Sequence, residues 1–66
     1  MQIRVNGQWQ ERRDGLTVAE LLGALCLEPR RVAVERNRQL VRRATFQTTQ
    51  LADRDELEIV TLVGGG

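Results

Sequence analysis

The side chains that carry most protein chemistry are missing from this sequence. It contains no His, Ser, Lys or Tyr, and a single Cys. Ser-His-Asp and Cys-His nucleophilic catalysis, lysine Schiff-base chemistry and imidazole metal ligation are therefore excluded, and no metal site is expected. What remains is the stretch Val63-Gly64-Gly65-Gly66 that closes the sequence. Three consecutive glycines have no side chain to pack and maximal backbone freedom, so a mobile arm is expected there. Extended, they reach about 10 Å, and a thread without Cβ atoms enters a channel that other sequences would block. Such an arm delivers the α-carboxylate of Gly66. A carboxylate at neutral pH is a poor electrophile and must first be activated, most simply as an acyl-adenylate. The sequence has no phosphate-cradling glycine loop, so a partner must bind the ATP and the chain itself is expected to hold no cofactor. The competing reading of the glycines is a frayed end without a role.

Two further groups of side chains invite a chemical reading. Cys26 is a candidate thiol relay, but it falls beside an apolar helical stripe, where a lone cysteine is expected to be a small buried hydrophobe. All ten basic residues are Arg, against nine acidic ones, for a net charge of +1. That balance argues against bulk attraction to nucleic acid or anionic membrane. Trp9 and Phe46, the only aromatics, are too few for a base-stacking platform. The pairs Arg12-Arg13, Arg30-Arg31 and Arg42-Arg43, with Arg36 and Arg38, form either a docking face for partner carboxylates or ordinary solvated surface.

The elements that must position these residues fit one small domain. A 66-residue chain buries only about 60% of the surface it exposes unfolded, so it has one modest core. A single cysteine excludes an internal disulfide framework. No apolar run approaches the roughly 20 residues of a membrane span and no signal-peptide pattern opens the sequence, so the cytosol is expected. Met1 to Val5 alternates as a half-buried strand, Asn6-Gly7 supplies a tight hairpin turn, and Gln8 to Arg13 returns as a polar strand near a sheet edge. Thr17 and Glu20 have the spacing of a capping box, with Leu16 and Leu21 placed to staple the entry. Val18, Leu21, Leu22 and Leu25 then form one apolar stripe, and Pro29 ends the helix, which is expected to run from about Val18 to Cys26.

Val32 to Arg36 and Gln39 to Val41 read as two more strands around an Asn37-Arg38 turn, and residues 43 to 50 as a loop or single helical turn anchored by Phe46. Asp53-Arg54-Asp55 makes another turn, and Glu56 to Val63 is the strongest strand. Within that strand Leu57 and Ile59 should face the helix. Val60 and Leu62 then lie on the other face near the glycines, where exposed apolar residues mark a binding surface. The expected class is α+β, a mixed sheet of four to five strands with one packed helix. A domain over residues 1–63 carries a tail over 64–66.

These features resemble the ubiquitin-like β-grasp sulfur carriers, and among them the ThiS family of thiamine biosynthesis. The resemblance rests on Ile-Arg-Val-Asn-Gly at 3–7, Leu-Thr-Val-Ala-Glu-Leu-Leu at 16–22, Val-Ala-Val-Glu-Arg-Asn at 32–37, and the segment 51–66 that ends on the glycines. It implies a β-grasp fold and a carrier rather than an enzyme. A ubiquitin-activating-like (ThiF-like) adenylyltransferase would use ATP to adenylate Gly66. Sulfur from a donor such as a cysteine desulfurase would replace the adenylate, and a ThiG-like thiazole synthase would take it from the resulting thiocarboxylate. Gly64, Gly65, Val60 and Leu62 would meet these partners. The family's turns usually carry Gly where this chain has Arg38 and Arg54, and a left-handed non-glycine residue costs roughly 1 kcal/mol, so other turn geometries are expected. Within the same class the alternative is the small subunit of molybdopterin synthase; from a different class comes a ubiquitin-like conjugating modifier that forms an isopeptide bond through Gly66. From another class comes a small Arg-rich nucleic-acid-binding domain.

Overall fold

The computed structural model describes residues 1–62; Val63, Gly64, Gly65 and Gly66 lie outside the described residues, and with them the expected boundary between domain and tail. β1 (Gln2–Val5) and β2 (Gln8–Glu11) form the opening hairpin. Its turn places Asn6 and Gly7 at φ 49° and 85°, the two positive angles that a right-twisted hairpin needs. β2 is two residues shorter than expected, ending at Glu11 rather than Arg13.

Helix α1 (Val18–Ala24) starts where the capping box predicts. The Glu20 backbone N–H donates to Thr17 Oγ1 at 3.1 Å, and the Thr17 N–H donates to Glu20 Oε1 at 2.9 Å. Leu16 and Leu21 are both buried beside it. The helix stops before Cys26, however. Leu25 is the C-cap and Cys26 the first residue past it, at φ 58°. The Cys26 N–H donates to Gly23 O at 3.1 Å and the Leu27 N–H to Leu22 O at 2.9 Å. This pair of bonds is a Schellman motif, which satisfies the last carbonyls by turning the chain left-handed. It corrects two expectations: the helix is shorter, and Cys26 is exposed rather than buried. Leu25, expected in the core, is only half-buried for the same reason. Pro29 opens a 3₁₀ turn, Pro29–Arg31, as its fixed φ allows.

β3 (Val32–Arg36) and β4 (Gln39–Val41) have the expected bounds, and β5 (Glu56–Thr61) closes the described chain. The sheet has five strands in the order β2-β1-β5-β3-β4, with β5 parallel to β1 and antiparallel to β3. The polar β2 is at an edge, as its composition requires. Ile3, Val5, Val32, Val34, Leu57 and Ile59 point from β1, β3 and β5 to one face. There they meet Val18, Leu21 and Leu22 of the helix, with Phe46 and Leu51 completing the core. Phe46 anchors the segment after the 3₁₀ turn Arg43–Thr45.

Two asparagines fasten the central strand. Asn6 Oδ1 accepts from the Ile59 N–H at 2.8 Å and its Nδ2 donates to Ile59 O at 3.1 Å. On the other side Asn37 Oδ1 accepts from the Glu56 N–H at 3.0 Å, while its Nδ2 donates to the buried Asp55 at 3.0 Å. Asp55 in turn accepts from the Ala52 N–H at 2.9 Å, closing the turn that carries Arg54. The turns are left-handed after all: Asn37, Arg38 and Arg54 sit at φ 51°, 70° and 73°. The expectation of other geometries is overturned because these hydrogen bonds outweigh the steric cost.

Candidate functional site at the end of the central strand

β5 occupies the middle of the sheet and runs toward the glycines, so its direction is set by both neighbours. Val32 pairs with Thr61, and the Leu62 N–H donates to Arg31 O at 2.7 Å. The last described residue is therefore held against the start of β3. The described chain thus ends at a fixed point on the sheet.

The outer sheet face beside that point is open. Val60 is 57% and Leu62 45% exposed, whereas Leu57 and Ile59 are buried, as strand alternation requires. Ala33, opposite Val60, is half-buried on the same face. Sequence reasoning missed two further members of this face, Trp9 at 48% and Leu40 at 68% exposure. Their signal was the hairpin registers, Arg4 against Trp9 and Glu35 against Leu40, which follow from the turn positions. The Arg54 guanidinium lies 5.9 Å over the Trp9 ring. Farther from the glycine end, Glu35 pairs directly with Glu58, both exposed.

The described residues include no His, Ser, Lys or Tyr. No group of His, Cys, Asp and Glu there could hold a metal ion. The titratable group that departs clearly from its ordinary value at the helix start is Glu20. The Thr17 backbone N–H is the main cause, and Arg13, 2.7 Å away, adds to it; together they hold the carboxyl below the usual range against partial desolvation. This is a capping role, remote from chemistry. The predicted residues Val60 and Leu62 are both exposed near the end of the described chain, while the predicted Gly64, Gly65 and Gly66 lie outside the described residues.

The comparisons with known proteins agree along the whole chain. The pattern of the ThiS family matches residues 3–66. The sulfur carrier protein ThiS of Bacillus subtilis is 37% identical, over 97% of this chain and 98% of its own length. The thiazole synthase of Paramagnetospirillum magneticum is 39% identical over all of this chain, which spans 20% of that protein's length. The crystal structure of ThiS from Geobacter metallireducens superposes with a TM-score of 0.86 at 35% identity, covering both chains completely. The five-stranded mixed sheet with its one helix is thus the β-grasp arrangement of those proteins, and the chain belongs to the ThiS family.

Proposed function

We propose that this protein is a sulfur carrier for the thiazole moiety of thiamine, a co-substrate of other enzymes rather than a catalyst. The observation that supports this most is the end-to-end match to ThiS proteins, with an exposed apolar face placed where β5 leads toward the glycines. The reacting group in this reading is the carboxylate of Gly66. An adenylyltransferase binds ATP, the carboxylate attacks its α-phosphorus, and pyrophosphate leaves. The persulfide of a donor such as a cysteine desulfurase then attacks the acyl carbon and displaces AMP, and a second thiol cleaves the resulting acyl disulfide, releasing the thiocarboxylate and leaving a disulfide on the donor side. Thiazole synthase takes that sulfur, which is soft, nucleophilic and unhindered because the adjacent carbon bears no side chain. The domain of residues 1–63 presents Val60 and Leu62 to these partners, and Gly64 and Gly65 thread Gly66 into their sites. The chain needs no metal and no cofactor of its own for this role. The carrier works in the cytosol; no helix among the described residues is long and apolar enough to cross a membrane. Similarity to a thiazole synthase favours thiamine over molybdopterin chemistry.

Intact-mass analysis tests the reading. Incubation with ATP, the adenylyltransferase and a sulfur source should replace one oxygen of the protein by sulfur. Deleting Gly66 shortens the arm by about 3 Å, and displacement on that scale should lower the rate by orders of magnitude while the domain melts normally. Full sulfur transfer by the deletion variant would remove Gly66 as the carrier residue.

A further inference from the structure

Two of the three arginine pairs meet near Leu62, the last described residue. The β3–β4 hairpin pairs Val34 with Val41, so the chain leaving β4 runs back alongside the start of β3. Arg43 Nη2 donates to Arg30 O at 3.3 Å, and Arg31 O accepts from the Leu62 N–H at 2.7 Å. Arg30, Arg31, Arg42 and Arg43 are all exposed, and no carboxylate of the described residues forms an ion pair with any of them. Glu28 is the one acidic residue lining the cleft, about 540 Å³, that Arg30 and Arg43 share with Pro29, Ala44 and Phe46. The third pair differs. Arg12 donates to Gln10 and Arg13 to Glu20, at the opposite end of the sheet. Arg30 and Arg43 share the cleft beside Glu28 and Arg42 lines the neighbouring groove with Arg36, so cationic charge exceeds the single nearby carboxylate of Glu28 and projects a positive field beside Leu62, the last described residue.

We infer that Arg30, Arg31, Arg42 and Arg43 form a cationic rim that docks onto an acidic surface of thiazole synthase, around the opening that receives the glycine arm. The inference rests on the sulfur-carrier reading and names a docking surface for it. Thiazole synthase is the partner because a relative of that name includes a segment matching this whole chain within a longer polypeptide. Guanidinium groups on the rim match carboxylates in forked geometry. Carboxylates placed around the opening would draw the arm in by steering the rim, raising the rate of encounter more than the lifetime of the complex.

Stopped-flow association of the full chain with its thiazole synthase tests this. The doubles Arg30→Gln/Arg31→Gln and Arg42→Gln/Arg43→Gln are compared with Arg12→Gln/Arg13→Gln, which removes equal charge from the far end. Each rim double should slow association about tenfold at low salt and converge on wild type at high salt, while the control stays close to wild type throughout. Thermal melting identifies a double that has lost its fold; if one has, the other decides. Equal rates in all variants, or an equal loss in the control, would overturn the rim while normal thiocarboxylate formation left the carrier reading standing. A wild-type chain that never associates with thiazole synthase removes the rim proposal, and failure to form the thiocarboxylate removes the carrier reading independently. Rim-dependent binding of a single-stranded oligonucleotide, with thiazole synthase association unaffected, would overturn the proposal in favour of nucleic acid.

Discussion

Arg38 and Cys26 occupy backbone conformations that L-residues avoid, at φ 70° and 58°. A left-handed residue brings Cβ against the following carbonyl, at roughly 1 kcal/mol for anything but glycine, with Asn and Asp partly excepted. Arg38 shares its turn with Asn37, so Arg38→Gly would create an Asn-Gly pair, the sequence best suited to such a hairpin. Cys26→Gly would place glycine at the position past a helix C-cap where it is favoured. Each substitution should stabilise the fold by roughly 1 kcal/mol, less the extra freedom that glycine gives the unfolded chain, and chemical denaturation measures it. Arg54→Gly should give less, because Arg54 also lies over Trp9 and 3.6 Å from Asp53. A lower denaturation midpoint in both Arg38→Gly and Cys26→Gly would show that these side chains contribute more than they strain. The exposure of Cys26 was hidden in the sequence. Its spacing from Leu22 matches the apolar stripe, and only the left-handed conformation of Cys26 itself, where the helix ends, takes it off that stripe.

Helix α1 is seven residues long, too short to persist without its cap and its packing against the sheet. The depressed Glu20 carboxyl ties that cap to pH. A carboxylate with a folded-state value below its ordinary 4.5 stabilises the fold above that value and loses the contribution as pH falls through the folded-state value. Glu20→Gln keeps an acceptor for the Thr17 N–H but removes the charge. The variant should melt below wild type at neutral pH, and the difference should close in acid; a gap that persists in acid would assign the effect to packing. This cap was legible because a capping box is local, as were the bounds of β3 and β4, set by alternation on either side of a turn. The strand order was not. β5 is placed between β1 and β3 by pairings such as Asn6 with Ile59, 53 residues apart, and no spacing along the chain encodes them. The arginine pairs were legible as a docking face or solvated surface, but not which of them come together, because the approach of Arg43 to Arg30 depends on the hairpin between them.

A domain of this size has one buried face and cannot spare much of it. Its total stability is of order 0.05–0.15 kcal/mol per residue, while emptying a fully buried leucine site costs roughly 2–5 kcal/mol. Leu22 is completely buried between helix and sheet, so Leu22→Ala should lower the melting temperature sharply and leave a substantial unfolded fraction under mild denaturant. Val60 is on the same central strand as the core residues Leu57 and Ile59, but its side chain is on the open face. Val60→Gln should therefore leave the melting temperature nearly unchanged. Glutamine is the better probe than an acid, because Glu58 is two residues along the same face and is paired with Glu35. If the outer face carries the partner contacts, removing apolar surface there must weaken the complex with thiazole synthase or the adenylyltransferase, mainly through faster dissociation. The rim variants act instead on association, so the two patches separate by kinetic phase as well as by position. Melting of Val60→Gln together with Leu22→Ala would mean that the two faces are not independent. A stable Val60→Gln chain with unaltered dissociation from both enzymes would remove Val60 from the docking surface.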